Sequence, residues 1–283
     1  DSCAALKILR LIVWGNLHPS HNHSGLGVIQ CMSAVRTVAF ILSVWHPVTP
    51  VFARPIRTAT IQTPTRMASS ATKGSEGFRE SFWNNIAGNY DKPSPKSDAY
   101  RDSRLQFLLS KSYFKKEDEV LDFACATGRL ALDISPHVKS VLGVDLSGGM
   151  IDQAKAKVAD KPSGNVAFET LDIFDPSLDA RRFNVICAMN VFHLLPNPSM
   201  FARRMHTIMA PNALLIAETP CMASKPWYFR TIIGVVSMTG LIPKPDYWTK
   251  EGIEDLVKAE GFELLEGLVL EGGDPLLVAR KKG

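Results

Sequence analysis

The chain has 283 residues, 46% of them hydrophobic and 21% charged, which suits one well-filled core and little more than one domain. Its five cysteines, Cys3, Cys31, Cys125, Cys187 and Cys221, include no CxxC pair, which argues against a disulfide scaffold or a thiolate metal site, and no metal is expected. The net charge of +4 misleads, because six Lys and Arg but one acid lie between Asp1 and Arg66 and the remainder carries −1; that near-neutral body lacks the basic footprint of a nucleic-acid binder.

The front of the chain differs in texture from the rest. AVRTVAFILSVW (34–45) is an apolar run too short to span a bilayer comfortably; it follows Met32 and precedes TPVFARP, the form of a signal h-region with its cleavage zone. Residues 54–74 are basic, hydroxyl-rich and free of acids, like a transit peptide. Residues 1–75 are therefore expected to be a targeting leader outside the fold. Met32 is the expected start and Met67 a second candidate. The two-part pattern resembles leaders of secondary plastids, with a mitochondrial leader as the runner-up; without a genuine leader the chain is expected in the cytoplasm.

From Glu76 onward, strand-like runs alternate with helical patterns. The runs are Val120–Phe123, Ser140–Asp145, Val166–Glu169, Asn184–Met189 and Ala213–Thr219. Helices are expected near Arg129–Ile134, Gly148–Ala159 and Ser199–Met209, and another from the N-cap Thr249 through Ala259, stopped by Gly261. Two more strands are expected at Glu263–Leu270 and Pro275–Ala279. The alternation argues for a mostly parallel sheet with helices on both faces, in one domain over 76–283. Such a sheet carries its ligands at the C-terminal ends of its strands.

Those ends are chemically marked. The first strand runs into Asp122, Ala124, Cys125, Ala126 and Gly128, small residues that let a ligand approach the backbone before a helix begins. The second ends in Asp145, where a carboxylate can accept both hydroxyls of a ribose. After the third come Asp172, able to accept from an exocyclic amine of adenine, and Ile173, able to pack on the ring. The fourth ends in Asn190 and His193.

Taken together, these motifs resemble the class I S-adenosylmethionine-dependent methyltransferases, most closely the broad type-11 group that includes ubiquinone- and menaquinone-pathway enzymes. The resemblance covers about Phe82 to Lys281. It implies a Rossmann-like, seven-stranded, mostly parallel sheet and S-adenosyl-L-methionine as cofactor. By motif, Asp122, Ala124, Cys125, Ala126 and Gly128 would line the methionine portion, Asp145 would bind the ribose with Leu146 beside the adenine, Asp172 and Ile173 would hold the adenine, and Asn190 would lie near the sulfonium. The segment FWNNIAGNYDK (82–92) resembles the lead-in of the family, where Tyr90 would close over the cofactor. Two positions depart from the pattern: Ala replaces Gly at 124 and 126, tolerable if φ stays negative there. A dinucleotide-binding dehydrogenase fits less well, since its third glycine position falls on Arg129.

In methyl transfer from a sulfonium the cofactor carries the reactive group, and the protein supplies position, desolvation and sometimes a base. His193 is the candidate general base and Tyr90 a candidate positioning residue. The acceptor is expected to be a small, apolar or amphipathic molecule rather than a nucleic acid. The apolar insert 220–248 would act as a lid, with 227–242 able to touch a membrane surface. The alternative is a catalytically inactive methyltransferase-fold binding or assembly factor.

Overall fold

The computed structural model of the protein describes residues 80–160, 164–238, 242–271 and 273–283. The leader expected over 1–75, and its boundary with the domain, lie outside the described residues.

Seven strands form one sheet: β1 (Glu119–Phe123), β2 (Ser140–Asp145), β3 (Val166–Thr170), β4 (Phe183–Met189), β5 (Met209–Glu218), β6 (Phe262–Val269) and β7 (Pro275–Lys281). Their order is β3-β2-β1-β4-β5-β7-β6. The first five are parallel, whereas β7 runs antiparallel between β5 and β6. The expected seven-stranded, mostly parallel Rossmann-like sheet is what the chain forms.

Central strands covered on both faces need apolar side chains in both directions. Thus Leu121, Phe123, Ile186, Ala188, Leu215 and Ala217 enter one core with helices α4 (Pro198–Ile208) and α6 (Lys250–Ala259). The alternate residues Val120, Val185, Cys187 and Ile216 enter a second core with α1 (Pro95–Ser110), α2 (Arg129–Ile134) and α3 (Gly148–Asp160). Leu121 and Ile186 are fully buried, and each such side chain contributes about 1.5–3 kcal/mol. One further helix, α5 (Trp227–Met238), lies in the insert after β5.

Local chemistry sets the helix starts. Asn197 accepts from Met200 N–H and is followed by Pro198 at the first helical position of α4, and Thr249 accepts from Gly252 N–H to cap α6. Helix α1 begins at Ser94 and Pro95 without a side-chain cap from Ser94; instead Asp98 Oδ2 accepts from Ser94 N–H at 3.2 Å. The strand order reverses between β1 and β4, which opens a crevice beyond their C-terminal ends. Ala124 and Asn190 stand there, one residue past each strand.

Candidate functional site

The loop after β1 is tighter than its composition suggests. Ala124 has φ 54° and Ala126 φ 48°, with Gly128 at φ 74°. The condition set for tolerating the two alanines, negative φ, is therefore not met. Both occupy the left-handed region, where an L-side chain costs about 1–2 kcal/mol. The loop holds its shape because Ala126 N–H donates to Asp145 Oδ2 at 2.9 Å, Cys125 N–H donates to the Val144 carbonyl at 3.0 Å and Gly128 N–H to the Cys125 carbonyl at 2.9 Å. Gly128 permits close packing instead of lining the crevice: a Cβ there would meet Phe168 Cζ at 2.3 Å. Ala124→Gly and Ala126→Gly should each raise stability in urea unfolding by about 1 kcal/mol. A loss at either site would mean that the alanine does not sit at positive φ in solution.

Asp145 ends β2 half-buried between two loops. Its Oδ2 takes the Ala126 amide and its Oδ1 the Ser147 amide, each at 2.9 Å. Burial raises its pKa, opposed by those amides. Each carboxylate oxygen keeps a free lone pair, so hydroxyl donors can still be accepted. Beside it lies a cavity of 140 Å³, lined by Phe123, Leu146, Met150, Leu171, Asp172 and Ile173 among others. Leu146 is 46% exposed and Ile173 fully buried, so they form the rim and floor. Asp172 is exposed, and its Oδ1 accepts from Phe174 N–H at 2.9 Å.

A second cavity, of 480 Å³, is polar. Ala124, Ala126, Met189, Asn190 and Tyr90 line both, and they form the waist where the two meet. Asn190 takes φ 55°, which asparagine tolerates well, and its N–H donates to the Glu218 carbonyl at 2.7 Å. The polar cavity is also lined by Asp122 and Cys125. Burial pushes the Cys125 thiol up. Asp122 is 2% exposed, its Oδ2 has no hydrogen-bond partner, and burial raises its pKa to about 7 despite the pull of Arg104.

Reading the sequence strand by strand missed the other half of this cavity. Arg104, from α1, is buried and donates Nη1–H to Glu218 Oε2 at 2.7 Å. Arg104 Nε is buried without a hydrogen-bond partner, and the Tyr100 hydroxyl lies against Glu218. Burial raises the Tyr100 pKa, and the Glu218 charge adds to the shift. Two unpaired polar atoms beside one cavity, Asp122 Oδ2 and Arg104 Nε, suit a ligand surface, since each is costly to leave dry and unpaired. The sequence reading placed no helix over α1, and nothing local says that Arg104 turns inward.

Tyr90 is 47% exposed and walls both cavities. His193 lines neither cavity. It sits in the 3-10 turn Phe192–Leu194, with Nδ1 3.2 Å from Thr219 Oγ1, and burial lowers its pKa to about 4. The structure therefore does not bring the expected general base to either cavity. The insert forms α5 as expected, yet none of its residues lines either cavity. Among the described residues no helix is long and apolar enough to cross a membrane, and no group of three or more His, Cys, Asp or Glu could hold a metal.

A family model described as a methyltransferase domain matches residues 96–266. The ubiquinone biosynthesis O-methyltransferase of Coxiella burnetii is 32% identical over 94 residues, 33% of this chain and 39% of that protein. The demethylmenaquinone methyltransferase of Symbiobacterium thermophilum is 32% identical over 92 residues, 31% of this chain and 36% of that protein. The chain thus spans under two-fifths of the length of these curated relatives, 39% and 36%. Among solved structures, the N-methyltransferase NodS of Bradyrhizobium japonicum, in complex with S-adenosyl-L-homocysteine, superposes with a TM-score of 0.57 at 18% identity, over 72% of this chain and 99% of that one. At that identity the likeness concerns the fold.

Proposed function

Because the chain belongs to the methyltransferase-domain family, matched over residues 96–266, we propose that it transfers the methyl group of S-adenosyl-L-methionine to a small apolar or amphipathic molecule. The observation that carries this reading is the pair of cavities joined at Ala124, Ala126 and Asn190, one apolar beside Asp145 and one polar with unpaired buried atoms. An adenosine needs the first kind of surface, and a zwitterionic amino-acid tail needs the second. The quinone-pathway relatives support an apolar acceptor.

In this reading Asp145 accepts from the ribose hydroxyls, Leu146 and Ile173 enclose the adenine, and Asp172 accepts from its amine. Asp122 takes the α-ammonium, which would favour its ionised form. Arg104 offers its unpaired Nε–H to the carboxylate while Glu218 holds Nη1. Bound there, the cofactor supplies the electrophilic methyl group for an in-line displacement. Tyr90 and Asn190, at the waist, orient the reacting centre and limit water. No proton step is assigned to His193.

The test is calorimetric titration of the full chain with S-adenosylmethionine and S-adenosylhomocysteine. Micromolar binding of both is expected, and turnover is then sought with phenols, quinols and thiols. Absence of binding at millimolar cofactor would refute the reading and give the inactive binding-factor alternative the lead.

A further inference from the structure

The lead-in ahead of α1 is joined to the site by more than Tyr90. Asn84 Oδ1 accepts from Ser147 Oγ–H at 2.7 Å and from Gly149 N–H at 2.9 Å, so a side chain from the lead-in caps the start of α3. Gly149 leaves room for it, since a Cβ there would stand 3.3 Å from Asn84 Oδ1. Seven residues later Asp91 accepts from Thr127 Oγ1–H at 2.9 Å, pairs with Lys157 and lies 3.7 Å from Arg129. Lys157 also donates to the Thr127 carbonyl at 2.7 Å.

These contacts close a ring. Asn84 holds Ser147, whose amide is on Asp145 Oδ1; Asp145 Oδ2 holds the Ala126 amide; Thr127 follows and holds Asp91. The ring therefore runs from the lead-in through the loop after β2, across the carboxylate of Asp145, through the loop after β1 and back to the lead-in. Tyr90, next to Asp91, is carried onto the waist of the two cavities as the ring closes. Asn84 and Lys157 line neither cavity, whereas Asp91 and Thr127 stand in the wall of the polar one.

We propose that Asn84 and Asp91 are positioning residues that clamp both cofactor loops in their binding geometry, so that cofactor leaves only when the clamp opens. This rests on the cofactor reading above. Asp91 and Lys157 are partly exposed, at 28% and 31%, so the Asp91 end weakens with salt while the Asn84 end does not. Because the ring is a single unit, breaking either end should release the whole of it.

Dissociation of S-adenosylhomocysteine from the full chain tests the clamp, with melting temperatures as a check on folding. Asn84→Ala and Asp91→Ala should each speed dissociation about tenfold. The double variant should exceed the faster single by no more than about twofold. Asn84→Asp keeps the acceptor and should stay within about twofold of wild type. Wild-type dissociation rates in both alanine variants, or fully additive effects, overturn the clamp while leaving the cofactor reading intact. If the wild-type chain binds no cofactor, that reading falls first. Hydrogen exchange at the Gly128 and Gly149 amides then decides the clamp alone: faster exchange in the alanine variants upholds it, and unchanged protection overturns it.

Discussion

Asp145→Ala is expected to lower the affinity for S-adenosylhomocysteine by about 100-fold or more, through the loss of two charge-assisted hydrogen bonds worth about 1.5–3 kcal/mol each. Alanine also frees the Ala126 and Ser147 amides, each held at 2.9 Å, and so opens the ring that shapes both loops. The fold should survive. Burial already raises the pKa of this carboxylate, so its ionised form opposes folding: whatever stability the group gives is present below the unfolded pKa and is lost as pH rises through the folded one. Asp145→Asn, however, keeps one acceptor oxygen for one of the Ala126 and Ser147 amides and turns its NH2 toward the other, so it should be less stable than wild type at pH 7.5 in urea unfolding and also bind weakly. A calorimetric affinity equal to wild type in either variant would remove Asp145 from the ribose role.

The ends of the strands were legible because their chemistry is local. Asp145 and Asp172 follow apolar runs of strand length, and both meet the 140 Å³ cavity. Thr249 and Gly252 form the cap that their spacing indicates. Three things were not legible, each for a physical reason. The positive φ of Ala124 and Ala126 is imposed by amides docking on Asp145 and Val144, residues of another strand. The three-residue offset of His193 from Asn190 gives its distance but not its direction, and the intervening 3-10 turn points the ring at Thr219. Arg104 and Glu218 lie 114 residues apart; only the stacking of α1 on the sheet unites them, and no periodicity reports a pairing of that range.

That pair carries the largest expected effect on stability. Arg104 is 8% exposed and Glu218 2%, so Arg104→Leu leaves an unpaired carboxylate in the interior and should cost about 3–5 kcal/mol at pH 7.5. The cost should depend on pH with a defined sign. The pKa values of Glu218 and Asp122 are raised by burial, and Arg104 lowers both. Without Arg104 they rise further. Groups with raised folded pKa values favour folding below the unfolded pKa and lose that contribution as pH rises through the folded one. Asp122 already titrates near 7 with Arg104 present. The gap between Arg104→Leu and wild type should therefore narrow as pH falls from 7.5 to 5, because protonation removes the orphaned charges. A double change to leucine at 104 and 218 should recover most of the stability at pH 7.5, since apolar residues replace a buried pair at little cost. It should not recover cofactor binding, because the guanidinium is gone. Urea unfolding of wild type and the two variants at both pH values, with one titration each, separates these roles. A single variant as destabilised at pH 5 as at pH 7.5 would show that Arg104 stabilises through packing alone, and a double variant that still binds cofactor would free the carboxylate-holding role for another residue.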